Sequence, residues 1–315
     1  MSTAISTRPT APYIVTPTDE EGNEIDLARR TVYLEFSLHA LGDSRMVPRS
    51  QMDVGEAKKS RFRLSKKIVE SPTLAAIISF DGKTREWLYN RSQPFKRGVY
   101  FMPLTLVDEV EEELCKRRAK REEMVAQFLA EYPDLCREAS TPLTKKYYNP
   151  ADYPPVENVA ARFSMTWQYF KFGVPDALAT VSPKVLAQER QKAAVQIREA
   201  AEDIQALMRA ELLKLVSHLR NRLAPDSDGK KKKLYDSAIS HLAEFLTYFD
   251  HRNVINDGEL KVVVDELRGT LSGVDIEAIR NTDTLRERLC EEMSTISEQL
   301  GTLVERVPKR RITLH

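Results

Sequence analysis

No stretch of about 18 apolar residues occurs anywhere in this chain of 315 residues, so the sequence predicts no membrane-spanning helix. Cysteine is scarce. Cys115, Cys136 and Cys290 lie far apart with no CxxC pair, which excludes a readable disulfide framework or zinc ribbon and points to a reducing, cytoplasmic setting. Glycine is scarce too, with 11 residues against 30 per cent charged ones, a balance that fits charge-laced helices better than a loop-rich β-protein. Excess charge of either sign is missing. The 48 basic residues nearly cancel 47 acidic ones, so nucleic acid or an anionic membrane would have to be held by local patches rather than by bulk charge.

Catalytic signatures are absent as well. There is no Gly-rich phosphate loop, no GxSxG and no paired-carboxylate motif, and His39, His218, His241, His251 and His315 form no HExxH or HxH arrangement. Asp250-His251 beside His241 reads as a helix end, where Asp, His and Arg252 complement the dipole, rather than as an acid-base set. These residues predict a non-enzymatic chain with no cofactor and no metal. The opening MSTAISTRPTAPYIV carries polar residues and Pro where a signal peptide needs an apolar run.

What is present, with 42 per cent hydrophobic residues, is enough apolar material for a real core and, above all, helical periodicity. Residues 183–223 run for about forty positions after the leading Pro without Gly or Pro, with an apolar stripe at Leu186, Ala193, Ile197, Ala200, Ile204 and Leu207. The stripe then shifts by one to Leu212, Leu215 or Val216, Leu219 and Leu223. At 1.5 Å per residue such a helix spans ~60 Å. A second long helix is expected over 105–139, opening on the acids 108–113, carrying the basic run KRRAKREE at 116–123, and kinked or ended by Pro133.

Before these helices, residues 1–30 read as a loose arm, and TVYLEFSLHALG at 31–42 alternates as a half-buried strand. Residues 57–70 carry a short helical pattern, and Asp81-Gly82 reads as a turn after another short helix. Residues 31–103 are therefore expected to form a small α+β head. The remainder, 104–315, is expected to be a helical arm and bundle with an aromatic, Pro-rich crossover at 141–182. That crossover holds Tyr147, Tyr148, Tyr153, Phe163, Trp167, Tyr169, Phe170 and Phe172. Further helices are marked near 234–250, 260–271 and 285–307. The fold class is mainly α, with long antiparallel, coiled-coil-like helices: 105–139 and 183–223 would bury their stripes against each other, with the last helix as a third strand. The plainer reading of the same stripes is an ordinary compact bundle. The helix-packing interface is expected at Ile197, Ile204, Leu207, Leu285, Leu289 and Ile296.

Basic clusters are the strongest chemical signal. Lys58, Lys59, Arg61, Arg63, Lys66 and Lys67 crowd into ten residues around Phe62; Lys230, Lys231, Lys232 and Lys233 follow a polar turn; Lys309, Arg310 and Arg311 close the chain. They could grip phosphates of a nucleic acid, or simply solvate helix faces.

The segments SKKIVESPTLAAI (65–77), PFKRGVYFMPLTLVDEV (94–110), FLAEYPDL (128–135) and YPPVENVAARF (153–163), with the terminal LRERL helix (285–289), resemble an uncharacterised bacterial and phage family. It is known as a domain of unknown function whose genes often neighbour those of MoxR-type AAA+ ATPases and von Willebrand A-domain proteins. The resemblance runs over about 31–307 and carries no catalytic residues. It implies a protein partner, an ATPase that remodels complexes, with this chain as adaptor or assembly partner; self-association is the other protein contact expected. The alternative is a helical scaffold that binds nucleic acid through its basic patches.

Overall fold

The computed structural model describes residues 14–15, 26–52, 55, 58–139, 143, 147–171, 173–175 and 177–305. The expected N-terminal arm, the Lys309 to Arg311 cluster, Phe172 and His315 lie largely or wholly outside the described residues. The described chain is mainly helical. Its helices are α1 (Asp26–Arg30), α2 (Pro72–Tyr89), α3 (Val107–Glu138), α4 (Val156–Ala160), α5 (Ala177–Val181), α6 (Pro183–Leu223), α7 (Asp236–Arg252), α8 (Gly258–Leu271), α9 (Ile276–Asn281) and α10 (Asp283–Glu305). The strands are β1 (Ile14–Val15), β2 (Thr31–His39), β3 (Ser44–Met46), β4 (Ser65–Lys67), β5 (Gln93–Lys96), β6 (Val99–Pro103), β7 (Ser164–Phe170) and β8 (Val174–Pro175). Strands β5, β6, β2 and β7 form a sheet in that order, and β3–β4 and β1–β8 are antiparallel pairs.

Two compact units divide the chain, and neither is contiguous. The first comprises Met1–Leu34, Asn90–Leu106 and Tyr169–His315; the second comprises Glu35–Tyr89 and Val107–Gln168. This differs from a head at 31–103 followed by an arm, because β2 and β7 each start in one unit and finish in the other.

In the first unit α6 is the spine. Ser182 accepts a hydrogen bond from Val185 N through its hydroxyl and Pro183 follows at the first helical position, a strong helix start. The buried stripe is Leu186, Ala193, Ile197, Ala200, Ile204, Met208, Leu212, Val216, Leu219 and Leu223. Met208 takes the place expected for Leu207, which is only half-buried; Ile204, Met208 and Leu212 follow one another at four-residue steps, so no register shift is needed. Leu289, Met293, Ile296 and Leu300 of α10, Leu242, Phe245 and Phe249 of α7, and Val264 and Leu267 of α8 share this core. Each such side chain contributes about 1.5–3 kcal/mol when taken from water. Tyr33 packs among Phe95, Phe101 and Phe170 at ring-centre distances of 5.2, 4.9 and 5.4 Å.

The second unit has its own core of Leu41, Ile68, Val69, Leu74, Ile77, Phe128, Tyr132 and Val159. It is built where α3 packs on α2 and α4. Each long helix finds cover within its own unit, α3 on α2 and α4, and α6 on α10 and α7. Asp81-Gly82 is not a turn but the middle of an 18-residue helix, and that helix packs on α3. Pro133 does not end α3 either, which continues to Glu138. Residues 57–70 hold no α-helix among those described: a single 3-10 turn at Lys59–Arg61 leads into β4.

Candidate interaction surface

The sequence-predicted cations part company in the structure. In the β3–β4 hairpin, Ser44 pairs with Lys67, Arg45 with Lys66 and Met46 with Ser65. Val47 N donates to Leu64 C=O and Ile68 N to Asp43 C=O, each at 2.8 Å, which carries the ladder past both ends. Residues of a strand alternate between faces. Lys66 therefore turns to the side opposite Lys67: its ammonium lies 2.7 Å from Asp152, with 8 per cent of its side chain exposed, and also donates to Tyr147 C=O. Lys58, Lys59, Arg61, Arg63 and Lys67 are exposed, and none has an ion-pair partner among the described residues. Between them Phe62 is 46 per cent, Leu64 43 per cent and Met46 58 per cent exposed, so this hairpin mixes uncompensated cations with bare apolar groups.

The second cluster is largely consumed by its own turn. Asp226 Oδ1 accepts from the backbone N–H groups of Asp228 and Lys230 at 3.0 and 2.8 Å, and Gly229 sits at φ 75°, a left-handed position suited to glycine. Lys231 pairs with Asp283, Lys232 Nζ donates to Asn221 C=O at 3.2 Å, and Lys233 lies over the Tyr235 ring at 5.1 Å. That leaves Lys230. Of the expected packing residues, Ile197, Ile204, Leu289 and Ile296 are buried, whereas Leu207 and Leu285 are half-buried.

Sequence reasoning missed the buried arginines. Arg121, within the KRRAKREE run, donates to both oxygens of Asp81 and to His39 C=O at 2.6 Å. Arg209 donates to both oxygens of Asp257 at 2.7 and 2.9 Å, to Glu259 at 2.8 Å and to Leu303 C=O at 3.1 Å. Burial acts to raise the Asp257 carboxyl, but hydrogen bonds from Arg209 and from Leu260 N–H outweigh it and hold the group below its usual value. Arg286 donates to the carbonyls of Leu223, Arg222 and Lys232 at 2.8, 2.5 and 2.9 Å, a cation at the negative end of α6. The signal for Asp257 was present: an Asp ahead of a helix whose Leu260 N–H it caps.

Chemistry at the remaining polar groups is limited. His39 Nδ1 stands 3.1 Å from Ser164 Oγ and 3.4 Å from Ser37 Oγ, with no carboxylate bound to the imidazole among the described residues. Among those residues no group of three His, Cys, Asp or Glu side chains is placed to hold a metal ion, and no helix is long and apolar enough to cross a membrane. Burial raises the Cys136 thiol, the behaviour of a small apolar side chain rather than a nucleophile.

A groove of about 580 Å³ runs beside α3, lined by Arg118, Val125, Leu129, Phe163 and the consecutive residues Ser164, Met165 and Thr166 of β7. Consecutive strand residues point to opposite faces, so a groove touched by all three meets the edge of the strand rather than one face. In the sheet order β7 is terminal. Arg118 stacks over Trp167 at 4.8 Å, and Trp167 Nε1 donates to Glu111 at 2.7 Å.

No family model, no curated protein and no solved structure matches this chain.

Proposed function

We propose that the chain is a non-catalytic helical interaction protein, an adaptor or assembly partner in a system driven by a MoxR-type AAA+ ATPase with a von Willebrand A-domain protein. The partner class comes from the resemblance of the segments at 65–77, 94–110, 128–135 and 153–163. The observation that carries the interaction role is the terminal strand β7 meeting a partly apolar groove beside α3. An unpaired strand edge next to a groove accepts an extended segment of another chain: main-chain hydrogen bonds supply affinity and the groove selects side chains. Arg118 at this groove has no acidic partner among the described residues and favours a carboxylate on the incoming segment.

The internal ion pairs support the same reading. Arg121, Arg209 and Arg252 and their carboxylates are committed to holding the chain together. The long stripe of α6 is spent inside its own unit, so self-association has to use another surface.

The test is co-elution of the purified chain with a purified MoxR-type ATPase and a von Willebrand A-domain protein, with and without ATP. A complex that is lost with Thr166→Pro, which removes one backbone N–H of β7, while circular dichroism shows the fold in place, supports the reading. Separate elution in every nucleotide state sinks it.

A further inference from the structure

We propose that the exposed 58–67 segment is a docking edge for single-stranded nucleic acid, with Arg63 and Lys67 on phosphates along one side, Lys58, Lys59 and Arg61 extending that charge at the preceding turn, and Phe62 against a base from the other side.

Strand alternation carries the argument. Phe62 has extended dihedrals, φ −111° and ψ 145°, Leu64 C=O is held by Val47 N–H, and β4 follows at once, so 62–67 is one extended run. Arg63, Ser65 and Lys67 then share one side at steps of about 7 Å, and Phe62, Leu64 and Lys66 the other. That interval is comparable to the spacing of phosphates along an extended single strand, and a backbone of regular charge meets a row of regular countercharge. The hydroxyl of Ser65 fills the one gap in the row. Lys58, Lys59 and Arg61 add charge ahead of the row, at the 3-10 turn Lys59–Arg61.

Three facts separate this row from an ordinary solvated face. The five cations have no ion-pair partners among the described residues, unlike Lys116 with Glu112 and Lys192 with Glu189 on exposed helix faces. Lys66, at the opposite parity, is turned inward onto Asp152, so the division between bound and open cations follows the strand's two sides. Phe62 offers an exposed ring on the other side of the same strand, and base stacking on an aromatic ring is the sequence-tolerant half of single-strand binding. A line of cations on an extended edge suits one backbone better than the two of a duplex.

The experiment is fluorescence anisotropy of the full chain with labelled dT30, repeated with a 30-base-pair duplex, across a salt series from about 50 to 200 mM. With five phosphates neutralised, log affinity should fall against log salt with a slope of about −3.5. The double substitution Arg61→Glu/Arg63→Glu should cost about tenfold or more and flatten that slope, whereas Phe62→Ala should cost roughly 5- to 100-fold with the slope unchanged. Lys230→Ala should bind as wild type, and Thr166→Pro should leave dT30 binding intact, which separates this surface from the β7 edge. Circular dichroism on each variant checks that these exposed changes leave the fold in place. The proposal is overturned by absence of dT30 binding at about 50 mM salt, by wild-type affinity in the Arg61/Arg63 variant, or by duplex binding as tight as single strand. Competition by polyglutamate as effective as by unlabelled dT30 also overturns it, because the row would then serve an acidic protein segment.

Discussion

Arg121 and Asp81 face each other across α3 and α2 in a two-pronged ion pair, with Nε and Nη2 each donating to a separate carboxylate oxygen at 2.7 and 2.9 Å, and both side chains about 95 per cent buried. A charge pair in such a place stabilises little by itself but is costly to halve, because the surviving partner is left desolvated. Arg121→Met is expected to lower stability by ~3–5 kcal/mol, and Arg121→Met/Asp81→Leu to recover much of that loss. Urea denaturation of the two variants checks this. A double variant no more stable than the single one would show that the Arg121 bond to His39 C=O, and not the ion pair, holds the unit.

A glycine two-thirds of the way along a sequence-predicted head gives the second test. Gly82 lies inside α2 at an ordinary helical φ, and a Cβ there meets nothing within 4 Å. Gly82→Ala should therefore raise stability by about 0.5–1 kcal/mol, since alanine costs less backbone entropy in a helix. Gly229→Ala should do the reverse, because its φ of 75° is strained for any side chain. Thermal unfolding of both variants reads the two signs directly. If Gly82→Ala destabilised, a turn at Asp81-Gly82 would be the better description.

These two positions also explain how much of the fold was legible in advance. The stripe of α6 from Leu186 to Ile204, the strand β2 and the last helix are regular periods over many residues, and periodicity survives any context. The Asp81-Gly82 pair misled because a dipeptide carries turn chemistry only when its Asp is free to bond its own backbone; here Arg121, forty residues away, takes that carboxylate. Leu207 misled for a related reason. Met208 and the buried Arg209 occupy the inward positions, and Arg209 is tolerated there only because Asp257 waits for it at the cap of α8. Among the basic residues, composition marked the 58–67 cluster, but only the pairing of β3 with β4 separates inward Lys66 from outward Arg63 and Lys67.

The corrected stripe makes a prediction of its own. Ile204 is fully buried and Leu207 is not. Ile204→Ala should cost ~2–5 kcal/mol and Leu207→Ala about 1 kcal/mol, and Ile204→Asp should prevent folding of the first unit by burying an unpaired carboxylate. Denaturant midpoints for the two alanine variants decide the register. Equal losses would return Leu207 to the core.

Acid should find a weak point at Asp257. Its folded-state carboxyl titrates below the ordinary value of about 3.9, so its contribution is complete above that range and is lost as pH falls through the depressed value. Stability of the wild type should drop between about pH 5 and pH 2. Asp257→Asn should start lower and fall less steeply over that window, since the asparagine has no proton to gain. Parallel pH profiles for the two proteins would remove Asp257 from the acid response.

The chain passes between its two units at 34/35, 89/90, 106/107 and 168/169. During synthesis the second unit has all its pieces once residue 168 has emerged, whereas Leu27, Ala28 and Tyr33 belong to a core built mostly from residues beyond 196. At ordinary elongation rates of about 5–20 residues per second, these early apolar residues wait roughly 15–60 s for their neighbours to leave the ribosome. Over that interval they are exposed to chaperones, and to misfolding, while the middle of the chain can already close around them in sequence but not in space.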